Sequence, residues 1–280
     1  MTAPFASADL AHWREWIGRQ EMREQRLDIE SLRRYAVAIG EQAAVEDSMP
    51  SLGHWAWFLP TVAASDIGED GHPKRGGFLP PVSLPRRMFA AASIRFHASP
   101  RLDGHATLTS TIADVRHRSG RSGDLVFVEV ERRLEQAQRT CIEEKQTIVY
   151  RAAGGRVPHV VEAEGAWRGD AGELWNPGPV DLFRFSAATF NAHRIHYDLR
   201  YATEVEGYPS LVVHAPFTAA RLFGYARSRT HRTPRVFTFR AQAPLFVSQP
   251  VRLVVGEVEG EYRAVRCDGE VAMVATVEFS

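Results

Sequence analysis

The chain has 280 residues, more than one average domain and compatible with two small domains or one large one, so duplication has to be considered from the start. With 44% hydrophobic and 24% charged residues, the composition is that of a folded globular protein and not of a disordered one. Lys and Arg (34) balance Asp and Glu (34), which excludes a global field favouring nucleic acid or an anionic membrane surface; an anionic ligand must meet local positive charge. Two cysteines, Cys141 and Cys267, fit a reducing compartment better than a disulfide-stapled fold and form no metal-ligand pattern. Met1 to Asp9 lacks the basic and apolar regions of a secretory leader, and no stretch approaches a membrane span, so a cytoplasmic protein with no membrane partner is expected.

From Leu10 to about Gln42, charged helix formers carry Trp13, Trp16, Ile17, Met22, Leu27, Ile29, Leu32 and Tyr35 at roughly helical spacing, which predicts two helices. Pro50 to Met88 is rich in Pro, Gly and aromatics and reads as an ordered loop or lid. Strand patterns follow at Phe89 to His97, His105 to Arg116, Asp124 to Leu134 and Thr140 to Arg151, an antiparallel meander. The expected division is a first unit over 1–155, a linker over 156–178 and a second unit over 179–280. The second unit contains FSAATFNAHRIHYD, then a buried helix over Val213 to Arg227, then three strands ending at Phe279.

The halves match in detail. IRFHASPRLDGHATLTSTIADV resembles TFRAQAPLFVSQPVRLVVGEV when Pro100 is placed over Pro244, and both halves close on long strand patterns, TCIEEKQTIVYR and VRCDGEVAMVATVEF. A duplicated helix-plus-sheet unit of the α+β class accounts for this. The alternative is that any two antiparallel sheets share alternation and a proline before a strand.

Asn191, His193, His196, Tyr197, Asp198, Arg200 and His214 form the densest polar cluster, set between apolar stretches that should be buried. His196 is the candidate for proton transfer, because imidazole takes and returns a proton near neutral pH; the other reading is a structural histidine hydrogen-bonded in the core. The amide of Asn191 can orient water but cannot act as a base. His193 and His196 stand three apart, yet no third ligand is evident and there is no His-Glu-x-x-His pattern, so no metal is expected. The chain has neither a Gly-x-Ser-x-Gly elbow nor a Gly-rich phosphate loop, which argues against an acyl-enzyme and a nucleotide enzyme.

FSAATFNAHRIHYDLRYATEVEGYPSLVVHAPFTAARLF resembles the signature region of the MaoC-like hydratase family. FLPPVSLPRRM, STIADV with SGRSGDLVFV, and EEKQTIVYR resemble the subgroup with a dehydratase-like first half, which includes mesaconyl-C4-CoA and itaconyl-CoA hydratases. The resemblance extends over nearly the whole chain from about Tyr35 and implies a double hot-dog fold: two fused units of antiparallel sheet and central helix, the first degenerate and the second carrying the catalytic motif.

The activity implied is that of a cofactor-free hydro-lyase adding water to a short dicarboxylic enoyl-CoA, itaconyl-CoA or mesaconyl-C4-CoA giving citramalyl-CoA. The alternatives are a 3-hydroxyacyl-thioester dehydratase of broader range, on CoA or acyl-carrier-protein substrates, and a catalytically silent acyl-CoA binding protein. Carried over by position, the family's catalytic Asp falls on Asn191, its catalytic His on His196 and its oxyanion glycine on Ala215, after His214. Asn191 and Ala215 depart from the family. His196 would then be the main acid/base, Asn191 would place the water, and the Ala215 amide would serve the oxyanion. Arg86 and Arg87 are expected to meet CoA phosphates or a substrate carboxylate, the alternative being a solvated surface pair; Tyr197 and His214 complete the expected substrate contacts. Asp198 either orients His196 or caps a helix. A fused double hot dog already pairs internally, and a homodimer of such chains remains compatible with it.

Overall fold

Alternation of inward and outward side chains builds one antiparallel sheet of ten strands in the computed structural model, which describes residues 7–46, 49–120, 123–152 and 172–280. The first half contains α1 (Ser7–Arg14), β1 (Gln20–Arg26), α2 (Ile29–Ala38), β2 (Arg86–Phe96), β3 (His105–Gly120), β4 (Gly123–Gln136) and β5 (Arg139–Arg151). The second contains β6 (Glu173–Trp175), α3 (Pro179–Thr189), α4 (Ala215–Ser228), β7 (Pro234–Ala241), β8 (Val251–Val255), β9 (Glu261–Arg266) and β10 (Val271–Phe279).

The strand order is β1-β3-β4-β5-β2-β7-β10-β9-β8-β6. Read outward from the centre, each half runs fifth-position partners in the same sequence: β2, β5, β4, β3, β1 on one side and β7, β10, β9, β8, β6 on the other. The halves join where β2 pairs with β7, from Ala91 opposite Arg240 to Arg95 opposite Val236. Pro100 lies between β2 and β3, and Pro244 between β7 and β8, the places that duplication requires. The helices pack over the sheet: α4 contacts β2 and β7 to β10, while α3 lies on α2. Phe185 of α3 stacks on Phe217 of α4 with 4.9 Å between ring centroids, in the main core.

Several elements differ from the sequence expectation. Gln20–Arg26, placed in a helix, is a strand paired to β3 with Met22 opposite Thr109. Its residues are good helix formers, but the open edge of β3 offers a hydrogen-bonded ladder, and Met22 is exposed and not on a core face. The second half ends in four strands, not three, because VRCDGEVAMVATVEF bends at Cys267–Glu270, with Gly269 at φ +85°. α3 also escaped notice; Pro179 opens it and the Asp181 carboxylate accepts the Gly178 N–H at 2.8 Å. Of the expected linker, 156–171 lies outside the described residues, while Glu173–Trp175 pairs with β8. The segment 50–88 is ordered, burying Trp57, Val82 and Leu84. Among the described residues, no helix is long and apolar enough to cross a membrane.

Candidate active site

At the end of α3, Phe190 adopts a left-handed conformation (φ +49°) and turns the chain into the polar segment. The Asn191 side-chain oxygen accepts the N–H of His193 at 3.0 Å, closing a turn that leads into a 3-10 turn at Arg194–His196. Asp198 accepts the N–H of Tyr201 at 3.0 Å and pairs with Arg194 at 2.7 Å, so it caps the following helical turn and does not orient His196. The Tyr197 ring is half exposed, and its hydroxyl donates to the Ala192 carbonyl at 3.0 Å.

His196 is buried, and its Nδ1–H donates to the Val212 carbonyl at 2.7 Å, which leaves Nε2 as the nitrogen with the basic lone pair. Burial lowers its pKa to about 3, against a smaller opposing effect of the Val212 hydrogen bond, so the imidazole is neutral at physiological pH. Its ring stacks on His214, whose Nε2 lies 2.8 Å from Ser186 Oγ. His214 is the residue preceding α4, and Ala215 is the first of the helix. First-turn N–H groups have no partner within a helix and lie at its positive end, so Ala215 and Phe217 present donors beside the two histidines. Ala215 does not have positive φ, so alanine occupies the position without strain.

A second group comes from the first half. Asp70 Oδ2 lies 3.1 Å from His72 Nδ1, and Asp70 Oδ1 accepts the His72 N–H at 2.9 Å. The His72 ring lies 4.0 Å from that of His193, which in turn meets His196 edge-on at 5.3 Å. Burial pushes the His72 and His193 imidazoles below their ordinary pKa; burial would raise the Asp70 carboxyl, but the His72 hydrogen bonds and the Arg87 charge hold it low. This loop is stitched to the polar segment: Arg194 donates its N–H to Asp70 O at 2.9 Å and its guanidinium to Glu69 O at 3.1 Å. Gly71 (φ +87°) sits so close that a Cβ there would fall 1.7 Å from Ala192 O. Sequence reading saw a lid here but not its two side chains; Asp-Gly-His-Pro in a breaker-rich loop was the available signal. Among the described residues, Asp70, His72 and His193 form the one group with donor atoms near enough, within 4.8 Å, to surround an ion.

Arg86 and Arg87 are neighbours on β2 and point to opposite faces. Arg86 is ion-paired to Glu206 at 2.8 Å and lies over the Tyr208 ring, both partners of the ion pair being largely buried. Arg87 stands opposite Tyr150 of β5, and its charge is felt at Asp70, His72 and His193. A cavity of about 1200 Å³ lies apart from these groups, between α2, the β2–β3 connection and the later turns of α4, and none of the site histidines lines it.

Residues 52–247 match the family described as hydroxyacyl-thioester dehydratase type 2. The chain is 45% identical over 282 residues to the mesaconyl-C(4)-CoA hydratase of Chloroflexus aurantiacus, covering 96% of this chain and 98% of that protein. It belongs to the hydroxyacyl-thioester dehydratase type 2 family. The stretch matched to that family includes Asp70, His72, Arg87, Asn191, His196 and Ala215. In fold, the chain resembles HtdX of Mycobacterium tuberculosis (TM-score 0.69, 17% identity, 94% of this chain and 100% of that one). It also resembles another M. tuberculosis protein described as having a double hotdog fold (TM-score 0.54, 11% identity, 94% and 96%). The expected α+β double hot dog and the expected MaoC-like dehydratase kinship are thus borne out.

Proposed function

We propose that this member of the family is a hydro-lyase adding water to the double bond of a short dicarboxylic enoyl-CoA, itaconyl-CoA or mesaconyl-C4-CoA, to give citramalyl-CoA. The observation that carries the reading is a neutral, buried His196 with its Nδ1–H anchored on Val212, stacked against the residue that opens α4. With mesaconyl-C4-CoA, whose double bond is conjugated with the thioester, His196 Nε2 takes a proton from water as the water oxygen bonds to Cβ. The displaced π electrons move to the thioester oxygen, which accepts a hydrogen bond from the Ala215 N–H at the positive end of α4. The proton then passes from His196 to Cα. The Asn191 side-chain oxygen accepts the His193 N–H, and its amide N–H groups are donors that can hold the water. Its role and that of Ala215 remain those the family resemblance implies.

Arg87, beside the site and free of the Glu206 pairing that engages Arg86, is the residue for the distal substrate carboxylate. The naming of the Chloroflexus relative as a mesaconyl-C(4)-CoA hydratase supports the dicarboxylic acyl group. In this reading the catalytic motif belongs to the unit over 179–280, the unit over 1–155 supplies the opposite wall, and the protein works in the cytoplasm. The family description favours one other reading, a broader 3-hydroxyacyl-thioester dehydratase. The test is loss of enoyl-thioester absorbance with itaconyl-CoA, mesaconyl-C4-CoA and crotonyl-CoA, with His196→Ala run beside the wild type. Turnover of the dicarboxylic thioesters that falls about 10²-fold or more in the variant is expected; turnover of crotonyl-CoA alone selects the broader dehydratase.

A further inference from the structure

Hydration asks for a second hydrogen-bond acceptor beside the reacting water. A water about to attack needs acceptors for its hydrogens, so that its lone pair is directed at carbon. His196 Nε2 is one acceptor. Asn191 already gives one lone pair of its side-chain oxygen to the His193 N–H at 3.0 Å, and its amide nitrogen can only donate.

The row Asp70–His72–His193 comes up beside His196 from the other half of the molecule. Within it, His72 is oriented as His196 is: Nδ1 is turned to an anchoring acceptor, here the Asp70 carboxylate at 3.1 Å, and Nε2 keeps its lone pair. The His72 and Asp70 side chains retain about a fifth of their exposure (22% and 23%), so solvent reaches this side of the row, while the residues His193 and His196 are buried at 8% and 7%. The loop that carries the pair is held in place by the Arg194–Asp70 and Arg194–Glu69 hydrogen bonds and by the close approach of Gly71 to Ala192.

We propose that His72, held by Asp70 and contributed by the first half of the chain, is a further catalytic residue that accepts a hydrogen bond from the reacting water opposite His196. His193 is the spacer that sets the separation of the two. The inference rests on the hydratase reading and adds to it a residue from the half expected to be degenerate. Atoms balance simply: one water hydrogen goes to His196 and on to Cα, while the other stays on the product hydroxyl, hydrogen-bonded to His72 throughout. Asp70 is a positioning residue, since it acts through His72.

The test uses the full chain with the best enoyl-CoA substrate, comparing wild type, Asp70→Asn, His72→Ala and His72→Gln. His72→Ala should lower kcat by about 10² or more with KM within about threefold. Free imidazole, entering from the exposed side, should restore part of that loss in His72→Ala and none in His196→Ala. Asp70→Asn, which keeps an acceptor for Nδ1–H but not the charge, should fall between wild type and His72→Ala. His72→Gln, which regains one acceptor oxygen, should exceed His72→Ala. Wild-type kcat in a folded His72→Ala protein overturns the proposal, as does a loss confined to KM without imidazole rescue. Stoichiometric zinc in the purified protein, absent from His72→Ala, would also overturn it by making the row a metal site. A wild type that hydrates no enoyl thioester is a different result, since it defeats the hydratase reading itself.

Discussion

The imidazole of His196 lies on that of His214 with 3.5 Å between ring centroids and 22° between planes, while each ring is tethered through a nitrogen, His196 to the Val212 carbonyl and His214 to Ser186. Two imidazolium ions cannot share so close a stack in a buried setting, and burial keeps both rings below their ordinary pKa. The site is therefore built from neutral histidines, which are bases, and not from cations.

Stability should depend on pH in a stated direction. The His196 pKa falls from 6.5 to about 3 on folding, so below pH 6.5 the unfolded chain binds a proton that the folded chain refuses. The contribution is complete above pH 6.5 and is lost progressively as the pH falls toward about 3. Denaturant midpoints should decline between pH 7 and pH 4, and His196→Gln should flatten that decline.

Ala215 separates backbone from side chain. Ala215→Gly keeps the N–H and should leave turnover within about threefold. Ala215→Pro removes the N–H at a helix position that accepts proline, and His214, at φ −62° and ψ 131°, already has the extended conformation that a following proline requires. Turnover of Ala215→Pro should fall by about 10² to 10³ with the circular dichroism spectrum unchanged.

The two arginines should behave differently. Arg86→Ala leaves Glu206 (13% exposed) without its ion-pair partner and should cost about 3–5 kcal/mol in denaturant unfolding. Arg87→Ala should raise KM for itaconyl-CoA or mesaconyl-C4-CoA about tenfold or more and leave KM for crotonyl-CoA, which has no distal carboxylate, nearly unchanged.

Gly71→Ala combines a left-handed backbone with a Cβ 1.7 Å from Ala192 O. The loop must move off the polar segment, and thermal unfolding should drop by several degrees. Because the same loop carries Asp70 and His72, kcat should fall along with it.

The amino-acid sequence by itself determined the strands whose alternation is strong, β2 to β5, the helix α4, and the duplication visible in Pro100 and Pro244. It also located His196 and His214, because a polar cluster between apolar runs is a local pattern. Local pattern misled at Gln20–Arg26, where a helix-forming composition yielded to the open edge of β3, and at Cys267–Glu270, where one strand pattern proved to be two. Only the tertiary structure decided that Asp70 and His72 stand beside His193, since the Arg194–Glu69 hydrogen bond that docks their loop spans 125 residues. Only it separated Arg86 from Arg87, because the choice depends on Glu206 meeting one face of β2. Burial likewise settled the protonation of the histidines, since an imidazole's charge is set by the solvent and charges that folding leaves around it, and these come from segments distant in the chain.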